Sequence, residues 1–306
     1  MIAAARPAGA LLTAMATAFD PGGALDAAES ARIARFLIDE GNDGVVVCGT
    51  TGEAPALDLA EKLELFATVA SALRGRGSVV AGVGSNNTKA TVELAREARA
   101  CGADALLVVV PYYSKPTQDG MLRHFGAVAE ATDLPLIVYN IPGRTGANML
   151  PATLLELARR YPQVIGVKES SGDLAQITAI CRDRAPGFAV WSGDDYLFLP
   201  ALSVGADGLI SVAAHVCGRE LREILDAYRA GDVGRAAELN ASVSLLVGAL
   251  FATTSPIPLK YALRAMGFAA GECRSPLGYL PESLARELDP LIAPYAQRAR
   301  SLAAAP

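Results

Sequence analysis

The sequence predicts an α/β protein: a (β/α)8 barrel over residues 1–230, catalytic, with a small C-terminal helical domain over residues 231–306. Three observations predict it. Eight short, near-continuous apolar runs recur along the chain, and most are trailed by a stretch of helical periodicity. Runs without alternation suit strands buried on both faces of a parallel sheet, and eight such strand–helix units close as a barrel. After residue 230 the runs stop and only helical periodicity remains. Finally, the first run leads into "ATAFDPGG", which is not the glycine-rich loop that a doubly wound, dinucleotide-binding sheet normally carries there.

The first strand is predicted at 10–19, ending in a turn at "DPGG". The leading segment imitates a secretory signal, but Thr13 and Thr17 interrupt a stretch already short for one. A helix follows in "LDAAESARIARFLIDEG" and stops at Gly41, a C-terminal cap signal. Further strands are predicted at 43–49, 78–84, 104–110, 134–140, 163–169, 188–193 and 207–212. Helical stretches at 57–75, 88–102, 118–133 and 151–162 fall between them. The appendix is formed by "DVGRAAELNASVSLLVGALFAT", "SPIPLKYALRAMG" and "PESLARELDPLIAPYAQRARSL".

Composition excludes several classes. A net charge of −5 with no Lys/Arg run argues against nucleic acid and anionic membranes as partners. Small acidic substrates stay open, because one pocket can be basic on an acidic protein. Five cysteines without a C-x-x-C pair read as reduced thiols of a cytoplasmic protein. Two histidines make a His-based metal site improbable, so no metal is expected. No window has the length of a membrane-spanning helix without a charge or turn.

Barrel chemistry sits at the C-terminal strand ends. Lys168 ends the sixth strand in "VIGVKESSGD". The chain has only five lysines against 22 arginines, and burying an ammonium is costly. Unlike arginine, a desolvated lysine can shed its proton and form an imine. The competing reading is a lysine paired with a carboxylate at the barrel rim. Tyr139 ends the adjacent fifth strand, where a phenol could pass protons, or pack in the core with its hydroxyl satisfied. Thr50 and Thr51 follow the second strand among glycines; they suit a carboxylate site or an ordinary strand-to-helix turn. Arg144 in "GRTG" is either a bidentate carboxylate clamp or a solvated surface charge. Asp194-Asp195 reads as helix capping rather than a catalytic pair. Cys48 has no histidine nearby in sequence to make it a nucleophile.

"GTTGE", "PYYSKP", "YNIPGRTG", "GVKESSGD", "SGDD" and "SPIPLK" together resemble the dihydrodipicolinate synthase / N-acetylneuraminate lyase superfamily, in its order and spacing over nearly the whole chain. Its members are imine-forming pyruvate aldolases on a (β/α)8 barrel with a helical C-terminal domain. The resemblance implies that Lys168 forms the imine with pyruvate and that Tyr139 shuttles protons. It implies that Thr50 links Tyr139 to Tyr113 from a neighbouring subunit, and that Thr51 with Thr50 binds the pyruvate carboxylate. Gly193 and Ile210 would line the pocket through backbone atoms. Arg144 matches the arginine that binds the carboxylate of aspartate semialdehyde. The implied reaction is condensation of pyruvate with L-aspartate 4-semialdehyde, on the route to lysine and diaminopimelate. The alternatives are another pyruvate aldolase or dehydratase of the superfamily acting on a sugar acid or 2-oxo acid, and a non-catalytic keto-acid-binding paralogue. No cofactor beyond the lysine imine is implied, and the implied assembly is a homotetramer, a dimer of dimers. Three positions depart from the inhibitory lysine pocket of feedback-regulated members: Leu59 and Lys62 replace imidazoles, and Ala90 replaces a glutamate. Ala54-Pro55 follows "GTTGE" where serine is frequent, and His215 stands where asparagine is frequent.

Overall fold

A computed structural model describes residues 8–303. All eight apolar runs form strands: β1 (Leu11–Ala14), β2 (Gly44–Val47), β3 (Ser78–Gly82), β4 (Ala105–Val109), β5 (Leu136–Asn140), β6 (Val164–Glu169), β7 (Ala189–Ser192) and β8 (Gly208–Ser211). They pair in chain order, all parallel, and β8 closes on β1. Side chains alternate between two cores, as strand pleating requires. Leu12, Val46, Leu107, Ile137, Trp191 and Ile210 fill the barrel interior. Leu11, Val45, Val108, Val138 and Val190 face the surrounding helices.

Those helices are α1 (Ala27–Asp39), α2 (Leu59–Leu73), α3 (Thr88–Ala100), α4 (Gln118–Glu130), the short α5 (Pro142–Thr145), α6 (Pro151–Arg160), α7 (Leu174–Asp183), α8 (Phe198–Ser203) and α9 (Ala214–Arg229). Polar N-caps start several of them where they leave the upper loops. Asp58 forms a capping box with Glu61, and Asn87, Thr117 and Asp173 accept from the first turns of α3, α4 and α7. Gly41 takes φ +94 just past α1, as its capping role requires. A helical C-terminal region follows, with α10 (Val233–Leu250), α11 (Ile257–Ala265) and α12 (Glu282–Ala303). No described helix is long and apolar enough to cross a membrane.

The first strand is shorter than predicted. Residues 15–19 stay buried, but past the bond from Met15 N to Val46 O at 2.9 Å they leave the sheet ladder. Ala16 N donates to His215 Nε2 at 3.0 Å, and Thr17 Oγ1 donates to Gly52 O at 2.7 Å. Their apolar character reflects burial beneath other loops rather than strand pairing. The "DPGG" turn forms, closed by Gly23 N to Asp20 O at 2.9 Å. Residues 1–7 lie outside the described residues.

Candidate active site

The parallel register sets Tyr139 of β5 opposite Lys168 of β6, and Lys168 opposite Trp191 of β7. All three are buried. Trp191 stands inside the barrel and anchors its indole by donating to Gly9 O at 3.1 Å. Lys168 Nζ lies 4.3 Å from the centroid of the Tyr139 ring. Among the described residues Lys168 forms no ion pair, so the rim-carboxylate reading of this lysine does not hold. The other buried lysine, Lys260, does have a carboxylate, with Nζ 3.0 Å from Glu53 Oε1.

Gly193, just past β7, abuts the lysine directly. A β-carbon placed there would stand 2.8 Å from Lys168 Cε. Ile210 of β8 is fully buried in the same interior cluster as Tyr139. Thr51 is buried, and Thr50 lines a cavity of about 450 Å³ together with Tyr139, Arg144, Lys62 and Ser85. No acidic side chain lines this cavity. The hydroxyls of Thr50 and Tyr139 are not hydrogen-bonded to one another. A larger groove of about 730 Å³, lined by residues such as Glu156, Arg159 and Phe188, opens beside the N-terminal ends of β6 and β7 and contains none of these groups. Thr50, Tyr139 and Arg144 thus share the smaller, upper cavity, while Lys168 lies behind the Tyr139 ring and does not itself line it.

Arg144 sits on α5, exposed at the cavity edge. Tyr113 is the one candidate that the single chain does not bring in: it is 88% exposed, with φ +71. Its loop is tied to that of Arg144 through Tyr113 N to Thr145 O at 3.3 Å. Cys48, Glu53, Tyr113 and Lys115 are the non-glycine residues with positive φ among those described, and all four follow β2 or β4 on this face. Such conformations cost energy and cluster at working sites.

Two supporting networks escape a reading of the sequence. Beneath the outer side of Lys168, the Glu169 carboxylate accepts from Asn140 Nδ2 at 3.1 and 3.0 Å, Ser171 N at 2.8 Å and Gln176 Nε2 at 3.1 Å. Burial pushes the Glu169 carboxyl above its usual range, against the pull of these bonds. Asn140 also donates to Asn148 Oδ1 at 2.7 Å, which ties the Arg144 loop to the Lys168 strand end. The strand period was the available signal, since a lysine pointing in puts the next residue out. The second network is the Glu53–Lys260 pair, which joins "GTTGE" to α11. Glu53 Oε2 accepts from Arg274 N at 2.8 Å, and Lys260 Nζ donates to Glu272 O at 3.0 Å. Burial lowers the Lys260 pKa, opposed by Glu53.

The remaining candidates are structural. Asp194 caps the turn after β7 by accepting from Tyr196 N at 3.0 Å. Asp195 is buried and accepts from Ser211 Oγ and from Val212 N at 3.0 Å. His215 accepts from Ala16 N through Nε2, so its proton sits on Nδ1, which donates to Val212 O at 2.8 Å. Burial pulls its pKa down to about 4. Burial also pushes the Cys48 thiol up to about 12, and all five cysteines are free. No group of three or more His, Cys, Asp or Glu among the described residues is arranged to hold a metal ion.

Residues 7–293 match the dihydrodipicolinate synthetase family. A 4-hydroxy-tetrahydrodipicolinate synthase from Symbiobacterium thermophilum is 51% identical over 88% of this chain and 92% of its own. The enzyme of that name from Moorella thermoacetica is 50% identical over the same shares. Among solved structures, the dihydrodipicolinate synthase of Cyanidioschyzon merolae with lysine bound superposes with a TM-score of 0.93 at 40% identity, over 95% of this chain and 99% of its own. That of Bacillus anthracis gives 0.91 at 41% identity, over 93% and 97%.

Proposed function

From the premise that the chain belongs to the dihydrodipicolinate synthetase family, we propose that it is a lyase condensing pyruvate with L-aspartate 4-semialdehyde to 4-hydroxy-tetrahydrodipicolinate, in lysine and diaminopimelate biosynthesis. The observation that carries the chemistry is a buried lysine without an ion pair among the described residues, set against a tyrosine on the adjacent strand end.

In this reading Lys168 Nζ attacks the ketone of pyruvate and forms an imine. The iminium draws electrons from the methyl group, and the resulting enamine attacks the aldehyde. Covalent catalysis thus splits one difficult deprotonation into easier steps. Tyr139 gives and recovers the protons. Thr50 and Thr51 hold the pyruvate carboxylate, and Gly193 and Ile210 bound the pocket through their backbones. Arg144 takes the carboxylate of the aldehyde with a planar fork. The imine supplies the electron sink, so no cofactor is needed. Tyr113 reaches the site of a neighbouring subunit in a homotetramer built from dimers. The five free thiols fit a cytoplasmic location. Free lysine is not expected to inhibit: Leu59 is exposed, and Lys62, lining the cavity, would repel a second ammonium.

Borohydride with pyruvate is expected to trap an adduct that peptide mapping places on Lys168. With pyruvate fixed, the semialdehyde is expected to outcompete sugar-acid aldehydes as co-substrate. An adduct on another lysine, or none, sinks the imine mechanism; preference for a sugar-acid aldehyde sinks the substrate assignment.

A further inference from the structure

Ser170 follows Lys168 by two residues, and the sheet ladder continues to it: Ser170 N donates to Asn140 O at 2.8 Å. The period of two along a strand sends both side chains to the same side, into the barrel mouth. Ser170 Oγ is buried and has no hydrogen-bond partner among the described residues. A β-carbon placed on Gly193 would stand 1.9 Å from this oxygen and 2.8 Å from Lys168 Cε. The hydroxyl and the last methylene of the lysine therefore crowd one point on the β7 side of the site. The Tyr139 ring occupies the β5 side, 4.3 Å from Nζ. A buried hydroxyl left unpaired is destabilising. One kept beside a nucleophile is explained by a partner that arrives with the substrate.

We propose that the Ser170 hydroxyl donates a hydrogen bond to the oxygen of the reacting ketone while Lys168 adds to it, and holds that oxygen until it leaves. The Nζ lone pair forms the N–C bond, and the carbonyl π pair moves onto oxygen. A proton passes from nitrogen to that oxygen, giving a neutral carbinolamine. The nitrogen lone pair then forms C=N as the C–O bond breaks, and the oxygen departs as water with the Tyr139 proton. The phenolate recovers a proton from the methyl group of the iminium. Charge builds on the oxygen in both transition states, where a fixed donor counts most.

This inference rests on the imine reading and is independent of which aldehyde follows. It is tested with Ser170→Ala, by quenching the reaction with pyruvate at short times with borohydride. The first-order rate of adduct formation on Lys168 is expected to fall roughly 10- to 100-fold. The fraction of lysine carried as adduct at equilibrium is expected to stay within about twofold, because a transition-state donor changes forward and reverse rates alike. An unchanged rate overturns the proposal. So does a matching loss of equilibrium occupancy, which would mean that the substitution merely displaced the lysine. Failure of the native protein to form any adduct overturns the imine reading as well, whereas a normal adduct in both proteins at equal rates removes Ser170 alone.

Discussion

A β-carbon at Gly193 would meet Ser170 Oγ and Lys168 Cε inside contact distance, and both are side-chain atoms that can yield. Gly193→Ala is therefore expected to fold, with a melting temperature within a few degrees of native, while the displaced ammonium forms the pyruvate adduct at least about tenfold more slowly. Quenched trapping and thermal unfolding measure the two halves; a normal adduct rate would mean that the lysine has slack. Arg144 has the opposite situation, exposed at the cavity edge. Arg144→Ala is expected to raise KM for the semialdehyde and weaken transition-state binding by about 2–5 kcal/mol at most, the cost of losing a charged partner. Pyruvate adduct formation should be nearly unaffected, since the pyruvate carboxylate is assigned to Thr50 and Thr51. Condensation kinetics showing a normal KM would leave Arg144 a surface charge. At this scale the sequence was readable in placement, where polar residues end apolar strands and meet across them, as Lys168 and Tyr139 do. It was silent on Ser170 and on the Gly193 contact, because a serine or a glycine in a loop is common and only packing gives either a task.

The loop after β2 is held by elements far from it in the chain. Glu53 takes φ +55 and pairs with Lys260 of α11, both about 1% exposed. The "SPIPLK" motif marked Lys260, but no local pattern joins it to "GTTGE". Removing one partner of a buried pair leaves the other charge uncompensated, at about 3–5 kcal/mol. Lys260→Met is expected to lower stability by that order and to slow the adduct, because the segment carrying Thr50 and Thr51 loosens. Chemical denaturation giving native stability would make the pair dispensable. Between α3 and α4, His124 is buried, with Nδ1 2.9 Å from Thr88 Oγ1 and Nε2 unpartnered. Burial pulls its pKa down from 6.5 to about 4. Across that window the unfolded chain takes up a proton at this ring and the folded chain does not, so acid favours unfolding. Relative to His124→Leu, the native protein is expected to lose about 2 kcal/mol between pH 7.5 and 5. Denaturation midpoints of both proteins at the two values measure this difference, and a constant difference would mean the imidazole protonates in place. The strands themselves were legible because parallel strands buried on both faces read as unbroken apolar runs. β1 was overread, since residues 15–19 are buried by loop contacts that leave the same apolar signature.

The closed barrel gathers its upper loops on one face, and four strained non-glycine residues stand there. Two of them, Tyr113 and Lys115, belong to one loop whose aromatic ring is 88% exposed in the single chain. Closure was readable from the number of strand–helix units, whereas assembly was reached only through the family resemblance, because a surface that meets a partner carries no periodic signal. An exposed tyrosine held at φ +71 gains nothing from solvent; strain of this kind persists where surrounding structure or a partner uses it. Under the proposed assembly, the hydroxyl enters a neighbouring site and the ring packs at the interface between two copies. Those two jobs are separable. Tyr113→Phe keeps the ring and removes the hydroxyl, so it is expected to sediment as the native oligomer while kcat falls roughly 10- to 1000-fold. Tyr113→Glu places a charge in a contact that must exclude water, so it is expected to shift the protein toward smaller species and to lose activity with the assembly. Activity measured across a dilution series, alongside sedimentation, joins the two observations. A fully active monomer in either variant, or in the native protein, would mean that each chain completes its own site and that the Tyr113 loop is strained for another reason.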